Sequence, residues 1–215
     1  MGNSHIHLHH PSALRRRKLQ SQRGFSLIEL IVVVIIIAVL AVIAIPSISK
    51  RMRDRRTSEL AQRVSQTYRD ARMRAMGRGG AVMVRYTTGS GAGQLTTLEG
   101  VVGTSGTCAE LPSNGCNRNW NAADSRQLAS LNVDASGEYA NMKVTMNDPT
   151  NNGVSSMDVC YTPLGRTFVR YTAGGNFVQL TGVPWANVAR YNGSNPVGLQ
   201  RHVVILPNGT SRLGL

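Results

Sequence analysis

Hydropathy along the chain changes its period twice. Residues 25–45 are apolar but for Ser26 and carry one charge, Glu29, a run long enough for a helix to span a hydrocarbon core of about 30 Å. Beyond Pro46 the pattern turns amphipathic with a helical period. Leu60, Val64, Tyr68, Ala71 and Ala75 recur at spacings of four, four, three and four and form one apolar stripe. Arg55, Arg56, Arg63, Arg69, Arg72 and Arg74 populate much of the remaining surface, and Gly77, Gly79 and Gly80 then stop the helix. A continuous helix over residues 25–76 would have 52 residues and run about 78 Å at 1.5 Å per residue. Pro46 removes one backbone hydrogen bond and should bend or loosen it.

From residue 81 the period becomes two. Residues 81–86, 128–133, 139–146, 157–161, 167–171, 177–180 and 202–206 read as strands between clusters of Gly, Asn, Pro and Ser. Residues 87–126, rich in glycine, read as a long irregular part, partly extended and partly mobile. The predicted fold class is α+β, an antiparallel β head packed on the second half of the helix. The chain then divides into a leader (1–24), a transmembrane helix half (25–45), an amphipathic basic helix half (46–78) and a β-rich head (79–215).

Charge sharpens this division. The formal charge is +13 over 215 residues. Residues 1–24 hold five Lys/Arg and no acid, residues 50–78 hold ten against Asp54, Glu59 and Asp70, and residues 79–215 hold nine against seven. The head is nearly neutral, so the overall basicity is poor evidence for nucleic-acid binding. The arginine face of the helix suits lipid headgroups, acidic neighbours or plain solvation better than a nucleic acid. Tyr68 is its one aromatic, and stacking platforms are absent. His5, His7, His9 and His10 lie in the basic leader, which reads as a targeting segment rather than a metal tract.

A carboxylate near the start of a membrane helix is costly, about 2.5–3.5 kcal/mol at a helix centre and less near an end. An anchor pure and simple has no use for Glu29. The stretch Gly24-Phe25-Ser26-Leu27-Ile28-Glu29 resembles the cleavage and methylation site of type IV prepilins and type II secretion pseudopilins. The resemblance covers about 30 residues, including the apolar run. It implies cleavage after Gly24 by a cytoplasm-facing prepilin peptidase and N-methylation of Phe25 as the mature N-terminus. It makes Glu29 the fifth mature residue and Pro46 the position of the family's helix-kinking proline. Basic residues do not fix the orientation, because Lys50, Arg51, Arg53, Arg55 and Arg56 equal the five in the leader. The resemblance does: Gly24 stays cytoplasmic, the helix crosses the bacterial inner membrane once, and the head is periplasmic before the subunit enters a pilus or pseudopilus.

Two further segments, Val159-Cys160-Tyr161-Thr162-Pro163-Leu164-Gly165-Arg166 and Val203-Val204-Ile205-Leu206-Pro207-Asn208-Gly209, resemble the paired strand-to-turn signatures of GspH/FimT-type minor pilins. The resemblance implies a minor type IV pilin in a tip or priming complex for motility or adhesion. Its implied partners are major and minor pilins, prepilin peptidase, the inner-membrane assembly platform and the lipid bilayer. A type II secretion minor pseudopilin is one alternative and a DNA-uptake pilin another. Some relatives bind DNA through a C-terminal Gly-Arg-x-Arg. The corresponding Gly209-Thr210-Ser211-Arg212 lacks the first arginine.

Three cysteines in a chain that leaves the cytosol suggest one disulfide and one leftover thiol. Cys108 and Cys116 flank a loop able to fold back on itself and form the expected pair, with Cys160 as the alternative partner. Their spacing fits no common zinc pattern. His202 is the single histidine of the mature chain, no serine stands in a Gly-x-Ser-x-Gly context, and a P-loop is absent. The sequence therefore points to a structural subunit without catalytic residues, metal or cofactor.

Overall fold

The computed structural model describes residues 24–89, 91–102, 111–133 and 137–214. The leader residues 1–23 and Cys108 lie outside them. The chain divides into two compact units, Met1–Ile45 and Pro46–Leu215. Helix α1 (Leu27–Arg78) includes the boundary residue Pro46, which has no N–H to give to the helical ladder.

Within the second unit, α1 buries one face. Leu60, Ala61, Val64, Tyr68, Ala71 and Ala75 are sealed in the main core, so the stripe read from the sequence is the packed face. The helix ends later than Gly77, which remains helical. Gly79 adopts φ 70° and donates its N–H to the Ala75 carbonyl at 3.1 Å, the left-handed cap that a residue without Cβ adopts at least cost.

Among the described residues eleven strands follow: β1 (Val82–Thr87), β2 (Gln94–Gly100), β3 (Ser125–Asn132), β4 (Met142–Asp148), β5 (Asn151–Val154), β6 (Ser156–Tyr161), β7 (Thr167–Arg170), β8 (Val178–Gln179), β9 (Trp185–Asn192), β10 (Asn195–Ile205) and β11 (Ser211–Gly214). They form two antiparallel sheets, ordered β3-β2-β1-β6-β7-β8 and β11-β10-β9-β4-β5. Tyr86, Leu95, Met157, Val159 and Tyr161 of the first sheet share a core with Val144, Met146, Ala186, Val188, Val203 and Ile205 of the second and with the α1 stripe. The Tyr86 hydroxyl donates to the Val144 carbonyl at 2.9 Å, tying the sheets together. This is an α+β layout of the type IV pilin kind.

Four strands lie where the sequence pattern gave none. β2 falls in the stretch expected to be irregular. Its inward positions are Leu95, Thr97 and the carboxylate Glu99, so the alternation is masked by polar residues that tertiary partners satisfy. β9 buries Ala186 and Val188, too small to signal a strand strongly, yet it is central in its sheet. β5 and β11 are four-residue edge strands. β10 begins well before residue 202 because a register shift between Val197 and Gln200 accommodates Gly198.

Cysteine pairing corrects the expectation. Cys116 is bonded to Cys160, with their Cα atoms 6.0 Å apart, in place of the Cys108–Cys116 pair; the alternative partner holds the bond. The first sheet is covered on both faces. Opposite the main core, Cys160 stands in register with Met83 and Phe168, and Ala81, Cys116, Trp120 and Phe177 complete a second apolar cluster there. The loop around Cys116 covers that face and brings its sulfur to β6.

Candidate functional site

The helix start is set by local chemistry. Ser26 immediately precedes α1, and its Oγ accepts the backbone N–H of Glu29 at 3.2 Å. Its carbonyl accepts the Leu30 N–H at 3.2 Å. Ser26-Leu27-Ile28-Glu29 thus has the spacing of a capping box, and Glu29 lies in the first turn, where a carboxylate complements the positive end of the helix dipole. Gly24 and Phe25 precede the helix and are exposed. The Gly24–Phe25 bond therefore lies outside the helical ladder, so a peptidase need not unwind a turn to reach it.

Apolar exposure follows immediately. Phe25 is 82% and Leu27 78% exposed, and from there to Ile45 only Ala41 is even half-buried. Continuous exposed hydrocarbon on this scale is unfavourable in water. By length and composition, α1 is able to cross a membrane.

Residues 19–45 match the family model of the prokaryotic N-terminal methylation motif, a type IV prepilin-like signal. No curated protein and no solved structure matches the chain.

The match covers the N-terminal signal and not the head, and supports a pilin-like or pseudopilin reading of this end of the chain. Together with the apolar helix it fits a membrane-anchored protein.

In the head, the two segments singled out in the sequence form two hairpins with the same turn. Thr162-Pro163-Leu164-Gly165 closes β6 onto β7, and Leu206-Pro207-Asn208-Gly209 closes β10 onto β11. In each, the glycine N–H donates to the first carbonyl, at 2.9 and 2.8 Å, and the glycine has positive φ, 75° and 79°. Proline supplies the fixed φ of the second position. The hairpins also touch. A Cβ on Gly209 would lie 2.4 Å from Thr167 Oγ1 and 2.9 Å from the Tyr161 ring.

The C-terminal strand is tied to the helix. Ser211 Oγ donates to the Ser65 carbonyl at 2.7 Å, and Arg69 donates two hydrogen bonds to the Ser211 carbonyl at 3.2 and 3.1 Å. Arg212 and Arg201 are on β11 and β10. His202 lies on β10, in register with Gly214 and Asn187.

Among the carboxylates that the sequence did not flag, Asp158 pairs with Arg85 and Arg170 inside the first sheet, and Glu99 and Asp148 tie different elements of the head together. Glu99 is fully buried and meets Arg74 and Arg78 of α1 and Arg126 of β3 at 3.0, 3.1 and 2.7 Å. Burial pushes its pKa up, but hydrogen bonds from Arg74 and Arg126 and the charges of Arg74 and Arg78 outweigh that and hold it below the usual range. Asp148 on β4 accepts the Tyr171 hydroxyl, just beyond β7, at 2.5 Å, which bridges the two sheets. Desolvation raises its pKa, and hydrogen bonds from Thr150 and Tyr171 bring it below the ordinary value. Neither acid stands in an apolar motif, so only the fold reveals its partners.

Proposed function

We propose that this chain is a minor type IV pilin of the GspH/FimT kind. Prepilin peptidase removes residues 1–24, Phe25 becomes the N-methylated mature N-terminus, and α1 holds the subunit in the inner membrane with the head periplasmic. The subunit then leaves the bilayer for a tip or priming complex. The observation that carries this reading is the exposed apolar half of α1 with Glu29 capped into its first turn behind an accessible Gly24–Phe25 bond. Apolar helices bundle by side-chain packing. In the low-dielectric bundle, Glu29 faces the positive amine of a neighbouring Phe25, an attraction that offsets its desolvation and fixes the register. Pro46 loosens the helix where subunits must adjust to one another.

The paired Pro-x-Gly hairpins support the minor-pilin assignment, since the resembled signatures require a strand, a glycine turn and a returning strand. A minor pseudopilin of a type II secretion system would share every one of these features. Peptide mass spectrometry of protein from its native membrane tests the core of the proposal. A mature chain starting at methylated Phe25 supports it, and an unmethylated chain retaining Arg23-Gly24 rejects it. Cross-linking of the assembled subunit to pilins or to secretion components separates the two machines.

A further inference from the structure

The packed face of α1 changes character toward its N-terminal side. Leu60, Ala61 and Val64 are sealed in the core, and Thr57, one turn earlier, is buried as well. Continued at the same helical spacing, that face carries Asp54, Arg53 and Lys50. On β9 the alternation that buries Ala186 and Val188 brings Arg190 to the same side of the strand. Lys50, Arg53 and Arg190 line one cavity of about 220 Å³ between α1 and the β9–β10 hairpin. All of its residues belong to the unit Pro46–Leu215.

These cations lack counter-charges. Further along α1, Arg55 pairs with Glu59, Arg63 with Glu138, and Arg74 and Arg78 with Glu99. Among the described residues Lys50, Arg53 and Arg190 form no ion pair. The lining holds three cations and one acid, Asp54, a formal excess of two positive charges. Asp54 is committed to the backbone. Gly198 and Leu199 fall out of the β9–β10 ladder at the register shift, and Asp54 Oδ1 accepts the Leu199 N–H at 3.3 Å. Gly198, at φ 79°, lets β10 come this close, since a Cβ there would stand 3.3 Å from the same oxygen. The contact fixes the β10 wall against the helix. Three like charges then face one cleft, where they repel one another unless an anion joins them.

Sequence position selects the anion. Lys50 is five residues beyond Ile45, where the apolar run ends, no more than about 7.5 Å of helical rise. The interfacial layer on each side of a hydrocarbon core is about 5–7.5 Å deep, and it holds the lipid phosphates. Long basic side chains extend their charged ends to such groups. Guanidinium groups pair with phosphate oxygens in bidentate fashion, and an ammonium adds a point charge. The volume falls below the about 300–1,000 Å³ of ordinary small-molecule sites, so it suits a compact anionic group rather than a whole metabolite.

We propose that this cavity seats the phosphate of an anionic phospholipid, held jointly by Lys50 and Arg53 of α1 and by Arg190 of the head. The surplus positive charge disfavours a zwitterionic headgroup, whose own cation it repels. The site gives the head a lipid contact of its own, apart from the apolar helix. It rests on the reading of residues 25–45 as a membrane anchor.

Native mass spectrometry of the full chain in nonionic detergent, titrated with phosphatidylglycerol, phosphatidylcholine or free glycerol phosphate, tests it. Phosphatidylglycerol should be retained as one saturable adduct, more weakly as ionic strength rises from about 50 to about 300 mM. Phosphatidylcholine and free glycerol phosphate should each bind at least about tenfold more weakly. Arg53→Gln and Arg190→Gln should each weaken phosphatidylglycerol binding at least about tenfold, having lost a charge-assisted contact. Arg53 is exposed, so its variant should keep the wild-type melting temperature. Arg56→Gln removes the same charge from an exposed residue of α1 outside the lining, and its affinity should stay within about twofold of wild type. Equal losses in Arg53→Gln and Arg56→Gln would mean diffuse attraction to a basic helix and overturn the site. So would full affinity in Arg53→Gln, equal retention of phosphatidylcholine, or glycerol phosphate bound as tightly as the lipid. Alkaline extraction of native membranes reads the anchor separately. A chain that washes off rejects the anchor, and a chain that stays but takes up no adduct rejects the headgroup site alone.

Discussion

Cys160, the fifth residue of β6, is bonded to Cys116 in the loop that covers the far face of the first sheet. The link joins residues 44 apart in sequence. It fastens irregular chain to one of the strands buried on both faces. Closing a loop of this length restricts the unfolded chain, an effect typically worth about 2–4 kcal/mol. Cys160→Ser should lower stability by that order, measured as a fall in the thermal midpoint, and reductant should do the same to the wild type. Non-reducing peptide mapping should recover Cys116 joined to Cys160. A Cys108–Cys116 peptide would refute the pairing.

Gly209 sits where two turns meet, at φ 79° and with Thr167 and Tyr161 inside the space a Cβ would need. Gly174 has φ 80° but nothing within 4 Å. Gly174→Ala should therefore cost only the backbone term, about 1–2 kcal/mol, whereas Gly209→Ala adds overpacking of about 1–3 kcal/mol. Denaturant titration of both variants reads the difference. Equal losses would mean that the hairpins are not in contact.

Glu99 gathers three arginines, two of them from the last turns of α1. Glu99→Gln should destabilise the head by about 1.5–3 kcal/mol, the range for hydrogen bonds to charged groups. The wild-type carboxyl has a folded pKa below its unfolded one. Its contribution is therefore complete above the unfolded value of about 4.3 and is lost as pH falls through the depressed folded value. Urea melts from neutral pH to pH 3 should show stability falling at the acid end. Glu99→Gln should flatten part of that fall, and the rest includes Asp148, which is shifted in the same direction. A profile unchanged by the substitution would remove Glu99 from the account.

Glu29 is the one charge in residues 25–45. In Glu29→Ala, cleavage at Gly24 should proceed, because the scissile bond and Ser26 are untouched, but the processed subunit should fail to enter filaments. Mass spectrometry of the mature N-terminus together with immunodetection in sheared filaments checks both halves. Wild-type incorporation of the mutant would sink the proposed pairing with a neighbouring Phe25.

Periodicity by itself determined the long helix and its packed stripe, because a hydrophobic spacing near 3.6 leaves one face for the core, and the exposed apolar run with Glu29 is legible from residue order alone. The two Pro-x-Gly turns were likewise visible, since proline and glycine impose their own backbone angles. Tertiary structure decided what depends on distant partners. β2 is a strand because Arg74, Arg78 and Arg126 satisfy Glu99 in the interior, and β9 because neighbours on both sides complete its ladder. The disulfide partner depends on which loop covers the second face of a sheet. That choice is made by packing across tens of residues, where local pattern carries no information about which groups will meet.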